Sequence, residues 1–256
     1  AHEPTIRTLT PEDLDALFEI RQVAFLDESD PTDPKVRAFR ETTLAHTRGC
    51  FLDGELASSA SWYPFQMHVH GARCEVAGLA SVLTAAEHRR KGCVRALLAG
   101  GLEGLYEAGT AWCLEYPFDT RYYARFGWQT VGNGAFFEVP TERFVPLGAE
   151  HTMRRVHPDD EEVRARLARI YESWARGYTF TMARADEVRP HWDYILEGTP
   201  WDDERMRLVY AGRDAYLVAR IDRHEGGQML RVIDMAWEDS AGRRGLLGFL
   251  GGLRGQ

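Results

Sequence analysis

The stretch 76–99, Val-Ala-Gly-Leu-Ala-Ser-Val-Leu-Thr-Ala-Ala-Glu-His-Arg-Arg-Lys-Gly-Cys-Val-Arg-Ala-Leu-Leu-Ala, constrains this chain more than any other. Apolar residues dominate positions 76–83, the pattern of a strand covered on both faces. A basic turn then opens a helix on Arg89, Arg90, Lys91 and Gly92, with Val94, Leu97, Leu98 and Leu102 along one side. The free N–H groups of a first helical turn, together with the helix dipole, favour an anion. The three cationic side chains add full charges, and Gly92 lets a ligand approach the backbone closely. A pyrophosphate suits this arrangement.

The setting follows from composition. A chain of 256 residues suits one large domain or two small ones. No run approaches the roughly 18 apolar residues of a membrane helix, and the start shows no charged-then-apolar export signal. Cys50, Cys74, Cys93 and Cys113 are dispersed without a Cys-x-x-Cys pair. That spacing points away from zinc sites and disulfide frameworks and toward a reducing cytoplasm. A net charge of -8 argues against general nucleic-acid binding and favours cationic partners. His68 and His70 alternate along one strand without a third ligand, so no metal is expected.

In chain order, Thr10 caps a helix that Pro11 opens and that ends near Phe25. An acidic loop with Asp27, Glu28, Asp30 and Asp33 follows, broken by Pro31 and Pro34, then a helix burying Val36, Phe39 and Leu44. Asp53-Gly54 marks a hairpin between strands 49–53 and 55–63, and a second turn near Gly71 leads into the 76–83 strand. Further strands are predicted at 111–115 and 135–139, with a small helix carrying Tyr122 and Tyr123 between them and a linker over 140–146. The second half repeats the rhythm at coarse grain, with helices over 158–174 and 186–196, strands over 206–211, 215–221 and 229–237, and a helix from Ser240 onward. The segment 241–247 echoes 87–93, which suggests duplication. The second copy stops before its later strands, and the expectation is a fragment of a longer chain.

Arg89-x-x-Gly92-x-Val94 after a hydrophobic strand resembles the acetyl-CoA motif of the GNAT N-acetyltransferase superfamily. More narrowly, His88-Arg89-Arg90-Lys91-Gly92, followed by Tyr123-Ala124-Arg125-Phe126-Gly127-Trp128, resembles the enhanced-intracellular-survival (Eis) acetyltransferases. The likeness covers residues 73–140 most fully and 155–250 more loosely, through Tyr171, Trp192, Ile233 and Asp234. Val94 stands where most GNAT members have Gly or Ala. The resemblance implies an α/β fold: a mixed central sheet with helices on both faces in a GNAT domain over 1–146, and a second, degenerate GNAT-like unit over 147–256. By the same resemblance, the family's third, sterol-carrier-like domain and the chain-terminal carboxylate implicated there as the base are expected to fall outside this sequence.

The implied activity is acetyl-CoA-dependent transfer to a primary amine of an aminoglycoside, polyamine or lysine side chain, in a possible homo-oligomer without membrane or nucleic acid. A CoA-binding or assembly module without catalysis is the alternative. By resemblance, Val82, Leu83 and Thr84 face the pantetheine, while Arg89, Arg90, Lys91, Gly92, Cys93 and Val94 hold the pyrophosphate. Thr84 is equally consistent with strand packing. Tyr123 takes the place of the general acid, a phenol near pKa ~10 facing a departing thiolate; the competing reading is a tyrosine packed on Phe126. Cys93 reads as a small residue beside the phosphates. Asp27, Glu28 and Asp30 border the acceptor site and would attract a cation, against the plainer reading of a solvated loop.

Overall fold

The structure, a computed structural model, describes residues 4–144, 153–184, 191–198, 207–224 and 227–253. It divides into two compact units: Ala1–Phe65 with Glu75–Asn133, and Gln66–Cys74 with Gly134–Gln256.

The first unit contains β1 (Thr5–Thr8), α1 (Leu14–Phe25), α2 (Pro34–Leu44), β2 (Thr47–Leu52), most of β3 (Glu55–Val69) and β4 (Ala72–Thr84), then α3 (Cys93–Glu107), β5 (Trp112–Glu115) and α4 (Thr120–Ala124). The strands lie in the order β1-β2-β3-β4-β5. β1 and β2 pair antiparallel, as do β2 and β3, while β4 and β5 run parallel, so the sheet is mixed. Strand alternation sends neighbouring residues to opposite faces. Leu56 and Phe51 join Leu14, Leu17, Phe18, Val36 and Leu44 from α1 and α2. Ala57, Ala60 and Cys50 join Leu97 and Leu98 of α3 and Tyr123 of α4. The helices therefore cover both faces, as the GNAT resemblance implies.

Helix starts follow local chemistry. Pro11–Asp13 forms a single 3-10 turn before α1, and the Thr10 N–H donates to Asp13 Oδ2 at 2.8 Å. Arg7 clamps the same carboxylate with two bonds of 2.6 Å, tying β1 to that turn. β1 has no counterpart among the sequence-based elements, because Thr-Ile-Arg-Thr offers a single apolar residue and no readable period.

The second unit carries β6 (Arg154–Arg155), α5 (Glu161–Ala175), β7 (Thr181–Ala183), α6 (His191–Leu196), β8 (Leu208–Ala211), β9 (Ala215–His224), β10 (Gly227–Trp237) and α7 (Ser240–Gly252). Its sheet, in the order β10-β9-β8-β6, is antiparallel throughout. Val218 packs with Leu167 and Ile170 of α5, and Leu217 packs on the other face with Leu246 of α7. Arg184 sits in this core, bonded to Asp234 at 2.7 and 2.9 Å and lying 3.4 Å from the Tyr171 ring centroid. Asp234 neutralises the guanidinium, and the aromatic face offsets part of its lost hydration.

β3 runs past Tyr63, where its sequence pattern is interrupted by Pro64. Its pairing with β2 ends at Ser61 and its pairing with β7 begins at Gln66. The proline therefore falls where neither ladder needs an N–H donor. The predicted strand at 135–139 is absent: those residues are irregular, with Phe136 and Phe137 96% and 86% exposed. Strand-forming side chains do not make a strand without an edge to pair with. The helix predicted from 186 is described from His191 onward, and 186–190 lie outside the described residues. Of the 140–146 linker, Thr141–Arg143 forms a 3-10 turn, and 145–146 lie outside the described residues. No helix among the described residues is long and apolar enough to cross a membrane.

α3 sits close to the sheet because Gly101 is buried where a Cβ would overlap the Trp62 indole. Ala at an exposed helical position would gain roughly 1 kcal/mol over Gly. Here the overlap with a rigid ring reverses the sign, and Gly101→Ala should destabilise by about 1–2 kcal/mol. A chemical-denaturation midpoint checks this; a midpoint above that of the parent would mean that Trp62 moves aside freely.

Candidate active site

β4 and β5 run side by side for four register pairs, from Val76 opposite Trp112 to Leu79 opposite Glu115. β5 ends there, while β4 continues to Thr84. Beyond Leu79 the backbone edge of β4 has no β5 neighbour. Ser81 adds a distortion, with a φ of 52° in the left-handed region that side chains other than glycine seldom adopt. Val82 packs half-buried on the α3 side. Leu83 faces the opposite core, and its carbonyl accepts from Ser58 Oγ at 2.6 Å. The Thr84 hydroxyl lies 3.0 Å from the same Ser58 oxygen. The side chains of Leu83 and Thr84 are thus engaged with the core and β3.

A short 3-10 turn, Ala86–His88, leads to Arg89, Arg90 and Lys91, all exposed. Gly92, at φ 89°, is the N-cap of α3. That positive φ is why glycine stands here. The first intrahelical bond runs from the Ala96 N–H to the Gly92 carbonyl at 3.1 Å. The N–H groups of Cys93, Val94 and Arg95 therefore precede any helical acceptor. The starts of α2, α4, α5 and α7 are covered by the carboxylates of Asp33, Asp119, Asp160 and Asp239. α3 has no side-chain cap.

Cys93 is the first residue of α3. Its side chain is buried beside Cys50, and burial with that contact pushes the Cys50 thiol up to about 12. Val94 is half-buried in the same cluster. At the sequence echo in the second unit, Gly242 N–H donates to Asp239 Oδ1 at 2.7 Å. A Cβ on Gly242 would overlap the Asp214 carbonyl. The start of α7 is closed by its own carboxylate.

Asp119 caps α4, accepting from the Arg121 N–H at 2.8 Å, and so fixes the turn that presents Tyr123. Tyr123 is 4% exposed, with the Tyr122, Phe118 and Trp128 ring centroids at 5.1, 5.7 and 6.0 Å. The titrating group that acts most on it is the Glu115 carboxyl at the end of β5. Burial, reinforced by the charge of Glu115, raises the Tyr123 pKa well above that of an ordinary phenol. Burial also pushes the Glu115 carboxyl up to about 7, while the Tyr123 hydrogen bond acts in the opposite direction. Cys113, one strand-face neighbour away, is pushed to about 12 by burial and then by the Glu115 charge. Tyr123 and Glu115 thus shift each other's titration. The sequence singles out the tyrosine but not the acid, which looks like any strand-terminal glutamate until α4 folds back on it.

The acidic loop has mixed fates. Asp27 accepts from Arg21 Nε at 2.9 Å, Arg40 Nη2 at 3.0 Å and the Ser29 backbone at 3.2 Å. It ties α1 to α2. Asp30 closes a turn on Thr32, 2.8 Å from its N–H and 2.7 Å from its hydroxyl. Glu28 is exposed. In the second unit, His68 is fully buried with Nε2 3.2 Å from Glu172. Among the described residues no group of three or more His, Cys, Asp or Glu side chains is arranged to hold a metal ion.

Residues 5–131 match the family model described as an acetyltransferase (GNAT) domain. Among solved structures, the chain is similar to a GCN5-related N-acetyltransferase from Anabaena variabilis, with a TM-score of 0.83 at 18% identity, over 99% of this chain and 64% of that one. It is similar to Eis1 from Mycobacterium abscessus, with a TM-score of 0.80 at 22% identity over 98% and 63%. A GCN5-related N-acetyltransferase from Kribbella flavida follows, with a TM-score of 0.73 at 18% identity over 98% and 61%. No curated protein sequence matches. The chain spans less than two thirds of the length of these three structures. Residues 5–131 are thus similar to the GNAT acetyltransferase domain, and the fold of the whole chain is the GNAT fold that these structures share.

The raised pKa of Glu115 has a consequence for stability. An ordinary glutamate titrates near 4.5, whereas in the fold this one holds its proton up to about 7. Between those values folding takes up a proton, so this residue's contribution to stability falls as pH rises through the window and is constant above it. Glu115→Gln removes the dependence. The melting temperature of the variant relative to the parent should rise between pH 5 and pH 7; a flat difference would place the Glu115 pKa at its ordinary value.

Proposed function

We propose that this chain is an acetyl-CoA-dependent N-acetyltransferase of the Eis-like kind, acting on a primary amine of a cationic acceptor such as an aminoglycoside, a polyamine or a lysine side chain. The observation that carries the reading is the uncapped start of α3 beneath Arg89, Arg90 and Lys91, set beside the stretch of β4 that β5 leaves unpaired. A diphosphate with an extended, amide-bearing arm matches both features. The backbone N–H groups at Cys93 and Val94 would meet the phosphates, with the three cations adding charge. The backbone at Val82 and Thr84 would run along the arm. When bound, acetyl-CoA supplies the activated acyl group.

Tyr123 holds a hydroxyl proton at the end of that stretch and would deliver it to the departing sulfur. Exposed Glu28, at the acidic loop, would draw the cationic acceptor, with Asp27 and Asp30 shaping the loop and adding to its negative field. The second unit, its helix start closed by Asp239, reads as a degenerate GNAT-like domain without a cofactor site. A cytoplasmic homo-oligomer is in keeping with the dispersed cysteines and the family resemblance.

Calorimetry with acetyl-CoA and a thiol-release assay over spermidine, kanamycin and a lysine peptide test the reading. Arg90→Ala should weaken acetyl-CoA binding about tenfold. Tyr123→Phe should slow thiol release about 100-fold with cofactor affinity unchanged. No heat of binding would end the proposal. Binding without thiol release from any amine would make the chain a CoA-binding module.

A further inference from the structure

We infer that Arg21 is a positioning residue for acyl transfer: braced by Asp27, its guanidinium grips the Ser81 hydroxyl and so fixes the left-handed kink from which β4 runs on alone. The inference rests on the acetyltransferase reading above and extends it to a residue that reading does not use.

Ser81 sits between two anchors of β4. Before it, β4 keeps its β5 neighbour up to Leu79 opposite Glu115. After it, the Leu83 carbonyl accepts from Ser58 Oγ at 2.6 Å and the Ala85 N–H donates to the Ala57 carbonyl at 3.0 Å. β4 is therefore held by β5 before the kink and by β3 after it. Between these anchors lies the backbone that would run along the arm of acetyl-CoA.

Ser81 has a φ of 52°. The other described non-glycine residues with positive φ lie at a helix end or in turns, and Ser81 alone lies inside a strand. A positive φ turns the peptide before Ser81 away from the orientation that a regular strand gives it. Glycine would take that conformation freely, whereas serine takes it only where its surroundings impose it. What serine adds is a hydroxyl that can be gripped.

The grip comes from α1. Arg21 Nη1 donates to Ser81 Oγ at 3.4 Å, and Arg21 Nε donates to Asp27 Oδ2 at 2.9 Å. The Phe25 ring centroid lies 5.2 Å from the same guanidinium carbon. Asp27 is fixed in turn by Arg40 Nη2 at 3.0 Å and by the Ser29 N–H at 3.2 Å. The Arg21 and Asp27 side chains are 12% and 13% exposed, so their pairing is shielded from most of the solvent that weakens surface ion pairs. A planar guanidinium addresses two acceptors at fixed angles, which an ammonium does not. Arg21 thus carries the order of the bridge between α1 and α2 to one hydroxyl of β4.

Placement matters because an acyl group about 1 Å out of line can react about 100-fold more slowly. A loosened Ser81 leaves the phosphate contacts at the start of α3 untouched and frees the acyl end. The loss should fall on kcat and spare cofactor affinity.

The test is a double-mutant cycle on the full chain, with acetyl-CoA and whichever of spermidine, kanamycin or the lysine peptide turns over. Ser81→Gly and Arg21→Lys should each lower kcat about 10-fold, with acetyl-CoA affinity by calorimetry held within about threefold and melting temperatures near that of the parent. The double variant should be no slower than either single one, because Arg21 acts through Ser81. Ser81→Asn, which tolerates a positive φ and restores an acceptor oxygen, should recover most of the rate that Ser81→Gly loses. Parental kcat in Ser81→Gly overturns the inference, as do losses that multiply in the double variant or a Ser81→Asn enzyme as slow as Ser81→Gly. Losses of cofactor affinity in place of rate, or losses that track a fallen melting temperature, overturn it too. Each of these leaves the acetyltransferase reading standing. A parent that releases no thiol with any of the three amines overturns both.

Discussion

Backbone polar groups need partners, and among the described residues two sets without a local ladder or cap partner follow one another along a single strand–turn–helix. The parallel ladder between β4 and β5 stops at Leu79 and Glu115, although β4 continues. A few residues later α3 begins without a side-chain cap. Each feature alone would be a modest cost. Placed in succession along one strand–turn–helix, they define a track with hydrogen-bonding groups along one part and positive charge at the other. The surrounding layers serve that track: α1 and α2 hold one face of the sheet, and α3 and α4 the other.

Much of this was legible in the sequence because it depends on local rules. A continuous apolar run, a basic turn and a glycine at the helix start specify the anion end with no tertiary information. Tyr123 was legible only through family likeness, since nothing in its local spacing distinguishes it from Tyr122. Glu115 was not legible at all. Its raised pKa comes first from burial, which leaves no mark at the position itself. The same holds for Asp27, whose two guanidinium partners come from α1 and α2, converting an acid in a seemingly solvated loop into a brace. The missing strand at 135–139 is the converse case: a sound local pattern with no edge to complete it.

The sequence echo does not mark equivalent positions, since 87–92 precede α3 while 241–247 lie within α7, but the two helix starts differ through one carboxylate. At α3 the N-cap is Gly92, which offers no side chain, and the positive end of the dipole faces outward. At α7 Asp239 fills that position and backbone packing at Gly242 closes it further. A helix terminus can be stabilised from within or left receptive, and this chain holds one of each.

Pro64 bears on a different matter from catalysis. The β3 edge that serves β2 up to Ser61 and β7 from Gln66 has a short interval between the two ladders. A strand edge acquires a new neighbour through its backbone donors, and Pro64 withholds one at this point of β3, which limits what could be added along it.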